Sequence, residues 1–412
     1  MAETNRKSVI ITFKPKDKRD DKKKDKVEIV TSEITSKVSF YESETVTSGA
    51  ALARNLAPEE VGFDINQYEA PIVTASLTDK EITAIKGNPN VATVEDDGPV
   101  FALDIVPRVE SLIVEGQPTV LAETIPIGVS QIKAPPAWDS SRGKGIRVAV
   151  LDTGIDGMHP DLSANYKGGV SFVPGEGPAD GNSHGTHCAG TIAAAINGIG
   201  VVGVAPAASL YAVKVLSNSG SGNWSWLIAG INWCIANKMR VLSMSLGGGS
   251  APSALEAMCN TAFSNGLLLI AAAGNSGPPP PGSPTSVGFP GRYKNVIAVS
   301  AIDSANVIAP FSSRGPEVEI TAPGVNVLST IPGGGYGTKS GTSMACPHVS
   351  GAAAVAWGSH RFANNVTIWN LLGSTAFNLG PPGWDSNYGY GRVDVDLAAG
   401  ALGLPPAVPL RP

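Results

Sequence analysis

No apolar run in the 412 residues reaches the length of a membrane span, which speaks against a transmembrane helix. Charge is sparse: 16% of residues carry it, and the net value is −5. Without a basic excess, neither nucleic acid nor an anionic membrane is indicated as a partner. Cysteine is scarce too. Four residues, Cys188, Cys234, Cys259 and Cys346, are too few for a disulfide framework at this size, and no CxxC pair suggests zinc. The opening "MAETNRKSVIITFKPK" lacks an apolar h-region. On that reading either the protein is cytosolic or a signal has been removed. No short repeat period occurs. Glycine and proline are plentiful, at 48 and 32, as in a compact, loop-rich globule of two or three domains.

Composition changes twice along the chain. Residues 1–100 hold most of the lysine and acid, including "KPKDKRDDKKKDKVE" (Lys14 to Glu28), a mixed-sign run that reads as a solvated loop. "SVIITF", "APIVTASL" and "VATVEDD" have strand patterns. Between the last two, "TDKEITAIKGNP" predicts a helix capped by Thr78, with Glu81 completing a capping box and Gly87 to Pro89 ending it. This order predicts a small α+β domain ending near Asp97. From about Ala122 the composition turns to Gly, Ala, Ser and Val. "IRVAVLD", "LYAVKVL", "VLSMSLG", "LLLIAAAGN" and "VIAVSAI" read as strands buried on both faces, separated by helical segments. That alternation predicts a parallel sheet covered by helices.

Sites in open α/β sheets form beyond the carboxyl ends of strands. Asp152 ends "RVAVLD", Asn275 ends "LLLIAAAGN", His184 opens "HGTHCAGT", and Ser343 stands where "SGTSMACPHV" begins a helix. Each alone has a plain structural reading as a cap or turn residue. Together they are what acyl transfer needs. Serine attacks only when a neighbouring base takes its proton. Histidine exchanges protons near neutral pH, and a carboxylate fixes its tautomer. The Asn275 amide and the Ser343 N–H could stabilise an oxyanion.

"AVLDTGID", "HGTHCAGTIAA", "SMSLGG", "AAAGN" and "SGTSMACPHVSGAAA" resemble the motif blocks of the subtilisin-like serine proteases, in that family's order of Asp, His and Ser. The resemblance runs from about Ala122 to Gly400. It implies a three-layer α/β/α catalytic domain with a mainly parallel sheet, after a ferredoxin-like α+β propeptide. Ser343 is then the nucleophile, His184 the general base and acid, Asp152 the orienting carboxylate and Asn275 the oxyanion donor. His187 and His348 are not the base, and Pro347 is expected in the first turn of the Ser343 helix.

By the same resemblance, Ser245, Leu246 and Gly247 form one wall of the pocket for the residue before the scissile bond. Ala272, Ala273 and Gly274 form the other, with Gly288 at the base. The small lining residues, with no acid among them, imply a preference for large apolar or aromatic side chains. "SGSGNW", with Gly220, Gly222 and Trp224, looks like the edge strand that pairs with substrate. Leu227, Leu246 and Leu255 would join Trp224 around a second apolar pocket, although Leu227 and Leu255 read equally as helix core. The family binds structural Ca²⁺. The matching positions are the side chains of Glu123, Asp161 and Asn197 and the carbonyls of Ala195, Ile199 and Val201, with Glu123 where the family commonly has Gln. A second, weaker site would use the Gly291, Tyr293 and Val296 carbonyls with Glu317. Cys188 resembles a buried thiol of proteinase-K-like members, while Cys346 departs from the usual Ser or Thr. Pairing of Cys234 with Cys259 is left open.

The expected division is residues 1–103 as inhibitory propeptide and intramolecular chaperone, 104–121 as connector and 122–412 as catalytic domain. Alignment of "VATVEDDGPVFAL" with the family's propeptide end puts first cleavage at Leu103↓Asp104, with Leu121↓Ala122 as the rival. The expected protein is a secreted, monomeric endopeptidase. It acts on proteins and peptides, is inhibited by its own propeptide and binds neither nucleic acid nor membrane. Two alternatives remain from other classes: a catalytically silent scaffold of the same fold, and an esterase-like acyl transferase.

Overall fold

The computed structural model describes residues 6–14, 18, 38–42, 54–56, 71–104 and 122–400. Most of the charged run Lys14 to Glu28, and the connector from residue 105 to Leu121, lie outside the described residues. The rest forms two compact units. Of the described residues, one unit takes those up to Pro99 with 223–237 and 251–265, and the other takes 100–104, 122–222, 238–250 and 266–400.

The first unit holds a five-stranded antiparallel sheet, in which Lys7–Phe13 lies between Pro71–Leu77 and Val91–Asp96. Alternation along these strands puts Val9, Ile11, Phe13, Val73, Ala75 and Leu77 into one buried cluster. Ile82 and Ile85, on the helix Asp79–Lys86, pack against it. That helix starts as predicted. Thr78 Oγ1 accepts from the Glu81 N–H at 3.3 Å, and the Glu81 carboxylate accepts from the Thr78 N–H at 2.7 Å. Ile10 and Ile72, of opposite parity, are buried as well. Two further helices complete the unit, Trp224–Ala236 and Ser253–Ser264.

Neither of these two helices has a side-chain bond from its own N-cap residue, Asn223 or Pro252. The acids of "VEDD" supply the caps instead. Asp97 accepts from the Ser225 N–H at 2.9 Å and the Ser225 hydroxyl at 2.7 Å. Glu95 accepts from the Ser253 N–H at 2.9 Å and hydroxyl at 2.7 Å. Anions at helix N-termini satisfy orphan donors and oppose the positive dipole end.

The second unit is built on a seven-stranded sheet. Its order, by the first residue of each strand, is Val318, Ile297, Leu268, Val241, Arg147, Ser209, Tyr166. Every neighbouring pair is parallel. Leu268–Ala272 and Ile297–Ile302 are buried along their whole length, as strands covered on both faces must be. The helix Thr342–Ser359 lies across the middle strands and is buried from Thr342 to Trp357. The helix His184–Ala193 packs beside it. This is the α/β class with a mainly parallel sheet that the sequence implied, with a small α+β unit at the N-terminal end. Among the described residues no helix is long and apolar enough to cross a membrane.

Replacing Glu95 and Asp97 by alanine in an uncleaved chain should lower the urea midpoint of the N-terminal unit. Each lost cap should cost about 1 kcal/mol. An unchanged midpoint would show that the caps add nothing.

Candidate active site

The second unit brings Asp152, His184, Ser343 and Asn275 together from four places. Asp152 ends the strand Arg147–Asp152, and His184 is the first residue of its helix. Two buried side chains hold these elements in register. Asp180 accepts from the Asn182, Ser183 and Thr186 N–H groups at 2.9, 3.0 and 2.9 Å, which caps the His184 helix. The Thr153 hydroxyl donates to Asp180 at 2.9 Å and accepts from the Gly185 N–H at 2.9 Å. With the frame fixed, His184 Nδ1 lies 2.7 Å from Asp152 Oδ1, and both side chains are fully buried. Neither Asp180 nor Thr153 was singled out from sequence, although "PADGNSH" has an acid just ahead of a helix start.

Ser343 is the second residue of the helix Thr342–Ser359. Pro347 stands inside this helix, not in its first turn as expected. It is four residues beyond Ser343, so the N–H that would bond the Ser343 carbonyl does not exist. That carbonyl accepts from the Ser245 hydroxyl at 2.8 Å and from the Cys188 thiol at 3.6 Å. The proline thus frees an acceptor that fastens the Ser343 peptide to Ser245 and Cys188.

Asn275 is oriented by Thr342, whose N–H and hydroxyl donate to Asn275 Oδ1 at 3.0 and 2.9 Å. With Oδ1 committed, Nδ2 points at the carbonyl oxygen of Leu103 and donates to it at 2.6 Å. A Cβ on Gly341, where φ is 154°, would sit 2.6 Å from that oxygen, so only glycine leaves room.

Leu103 follows the strand Pro99–Ala102, which is the middle strand of a three-stranded sheet. Ala102 pairs with Leu246, and Phe101 with Gly247, antiparallel. On the other side the Ala102 N–H donates to the Gly220 carbonyl at 2.9 Å. Gly222 lies in the strand Ser221–Asn223 beside it. Gly247 faces the Leu103 side chain, since a Cβ there would approach Leu103 Cδ1 to 3.1 Å. Ala272 ends its buried strand. Gly274 donates to the Thr342 hydroxyl at 3.1 Å, and Gly288 to the Ala273 carbonyl at 2.9 Å. Val100 is fully buried. Trp224, Leu227 and Leu255 belong to the first unit and are buried in its helices.

The side chain of the residue after Leu103 reaches His184. Asp104 Oδ1 lies 3.1 Å from His184 Nε2, and Oδ2 lies 2.9 Å from Lys339 Nζ. The Ser343 hydroxyl instead donates to the Ser245 carbonyl at 2.9 Å. Burial alone would lower the His184 pKa, but the Asp104 and Asp152 carboxylates reverse this and raise it well above its ordinary value. Burial would likewise raise Asp104, yet His184 and Lys339 bring it far below the usual carboxylate range. His187 and His348 behave differently. Burial lowers them to about 3 and about 4, so both are neutral at ordinary pH. All four cysteines are free and buried, Cys234 and Cys259 included. Cys188 Sγ is 4.0 Å from His184 Nδ1, and burial raises its pKa.

A second cluster surrounds residues 195–201. Glu123 accepts from the Asn197 and Gly198 N–H groups, both at 2.7 Å. Asp161 accepts from Asn197 Nδ2 at 3.1 Å and from the Val201 N–H at 2.9 Å. The Ala195 N–H donates to the Asp161 carbonyl at 2.9 Å, and Asn197 Oδ1 accepts from the Ile199 N–H at 3.1 Å. Two carboxylates and an amide thus gather on one loop, a set of hard oxygen donors of the kind Ca²⁺ takes. Glu317, considered for a weaker site, is engaged by Arg292 at 3.4 Å and the Thr285 hydroxyl at 2.5 Å.

A buried carboxylate–imidazole pair, a serine on a helix start and an amide aimed at a carbonyl oxygen are the parts that serine acyl transfer needs, and kinship with the subtilases makes the chain a serine endopeptidase. Residues 143–391 match the model of the subtilase family of peptidases, and the chain belongs to that family. It is 47% identical to subtilisin E of Bacillus subtilis (strain 168) over 366 residues, 88% of this chain and 89% of that one. Subtilisin of Bacillus pumilus is 50% identical over 281 residues, 68% of this chain and all of that one. An alkaline protease of Shouchella clausii is 42% identical over 344 residues, 82% of this chain and 83% of that one.

The charge on His184 makes stability depend on pH. A raised folded pKa contributes stability that is complete below the unfolded value of ~6.5 and lost as pH rises through the folded one. In an uncleaved Ser343→Ala chain, the urea midpoint should therefore fall as pH rises above neutrality. Asp104→Asn should flatten that fall, and parallel slopes for the two proteins would contradict the assignment.

Proposed function

We propose that this serine endopeptidase is made as a zymogen that cuts its own Leu103–Asp104 bond. The observation that carries the reading is the 2.6 Å bond from Asn275 Nδ2 to the Leu103 carbonyl oxygen. Ser343 Oγ attacks that carbonyl carbon while its proton passes to His184 Nε2. Asp152 holds the imidazole by its other nitrogen, and Asn275 stabilises the oxyanion. As the C–N bond breaks, His184 returns the proton to the leaving amine, and water later releases the acyl group by the same route. Residues 1–103 then act as propeptide and inhibitor, 104–121 as connector and 122–412 as the catalytic domain. Leu103 beside Gly247 supports a preference for large apolar or aromatic residues before the scissile bond. The substrates are proteins and peptides, and the enzyme acts as a secreted monomer, as its family resemblance implies.

Ser343→Ala should leave a folded, uncleaved 412-residue chain. Asn275→Ala should process itself about 10²–10³ times more slowly. N-terminal sequencing of the earliest wild-type product should read from Asp104. A first product beginning at Ala122, with none beginning at Asp104, refutes the site, and processing by pure Ser343→Ala refutes the nucleophile.

Glu123, Asp161 and Asn197, with the carbonyls of Ala195, Ile199 and Val201, would hold a structural Ca²⁺. When bound, the ion neutralises the two carboxylates and ties the N-terminal segment of the catalytic domain to the loop. Calcium at 100 times its Kd should stabilise the protein by about 2.7 kcal/mol. Excess EDTA should lower Tm, and Glu123→Gln should shrink the difference. Equal Tm values with and without EDTA, and no metal by elemental analysis, would exclude the site.

A further inference from the structure

We propose that Lys339 and His184 together form a carboxylate-binding subsite for the side chain that follows the scissile bond. This rests on reading Leu103–Asp104 as the bond presented to Ser343. Lys339 ends the strand Gly335–Lys339, which pairs antiparallel with Val327–Ile331 and holds the stem of Lys339 in place. Its ammonium meets one oxygen of Asp104 at 2.9 Å, and His184 Nε2 meets the other at 3.1 Å. The side chains of Lys339, Asp104 and His184 are only 11%, 22% and 0% exposed, so solvent screens this bridge less than it would a surface pair. Attraction to a cation at this position favours Asp or Glu over Asn, Gln or Ala in the bound substrate.

The same contact opposes turnover. Nε2 is the atom that must take the Ser343 proton, and a carboxylate on it stabilises the imidazolium, which cannot accept one. The Ser343 hydroxyl is turned to the Ser245 carbonyl accordingly. The other groups facing His184 are Asp152, at the end of its strand, and Cys188, on its own helix. Both stay in place whatever substrate is bound. His187 is neutral, so it does not compete for the carboxylate. An acid after the scissile bond therefore binds well and reacts slowly, and the chain carries such an acid at its own junction.

The test uses self-processed protein and peptides that differ only in the residue after a Leu–X bond, with X as Asp, Asn or Ala. KM for the Asp peptide should be about 5-fold below that for Asn, the upper range for a partly exposed ion pair. Its kcat should be about 10-fold lower at pH 7, with the gap closing as pH rises, since each unit of upward pKa shift removes tenfold of the neutral imidazole. Lys339→Gln should raise KM for the Asp peptide alone. Should that variant fail to mature, wild-type protein in 1 M salt gives the same contrast: KM for Asp rises and KM for Asn does not. Equal KM and kcat for cleaved Asp and Asn peptides would overturn the subsite and leave the endopeptidase reading intact. Failure to cleave any Leu–X peptide would overturn that reading, and the subsite with it.

Discussion

The site depends first on a fully buried 2.7 Å contact between Asp152 and His184. A carboxylate removed from water is costly unless its lone pairs are filled, so the chain must deliver donors to it. The Thr153 N–H supplies one at 2.7 Å. Thr153 also binds Asp180, which caps the helix that begins with His184. One strand end and one helix start are thereby fixed to each other by groups that never touch a substrate.

The serine is fixed by different means. Its carbonyl is held by Ser245, and its hydroxyl is parked on the Ser245 backbone. Asn275 is turned by Thr342, the residue next to Ser343. Asn275 is thus oriented by the chain neighbour of Ser343, and the His184 helix by the chain neighbour of Asp152, so these parts of the site support one another.

Much of this was legible before any coordinates. The strand patterns around "RVAVLD" and "LLLIAAAGN" depend on local burial, and they ended where the reactive residues stand. The capping box at Thr78 is local and was readable for the same reason. What escaped was long-range. Glu95 and Asp97 looked like the end of a strand, yet they cap helices through Ser253 and Ser225, 158 and 128 residues further on. Lys339 was given no role from sequence, and its partner lies 235 residues away. Pairings of this kind are set by topology, and no periodicity announces them. Pro347 was read by its usual position near a helix start, a rule about stability that says nothing of which carbonyl is released.

That released carbonyl has a mechanical meaning. An α-helix passes strain and breathing motions along its ladder of amide bonds, each turn tugging the next. At Ser343 the ladder has a missing rung, and the first turn is tethered sideways to Ser245, between two strands. Fraying or flexing of the long helix beyond Pro347 has no backbone bond to the Ser343 carbonyl by which to pull on it. The Ser343 carbonyl and hydroxyl are held by Ser245, between the strands Val241–Met244 and Leu246–Gly247, rather than by the helix ladder.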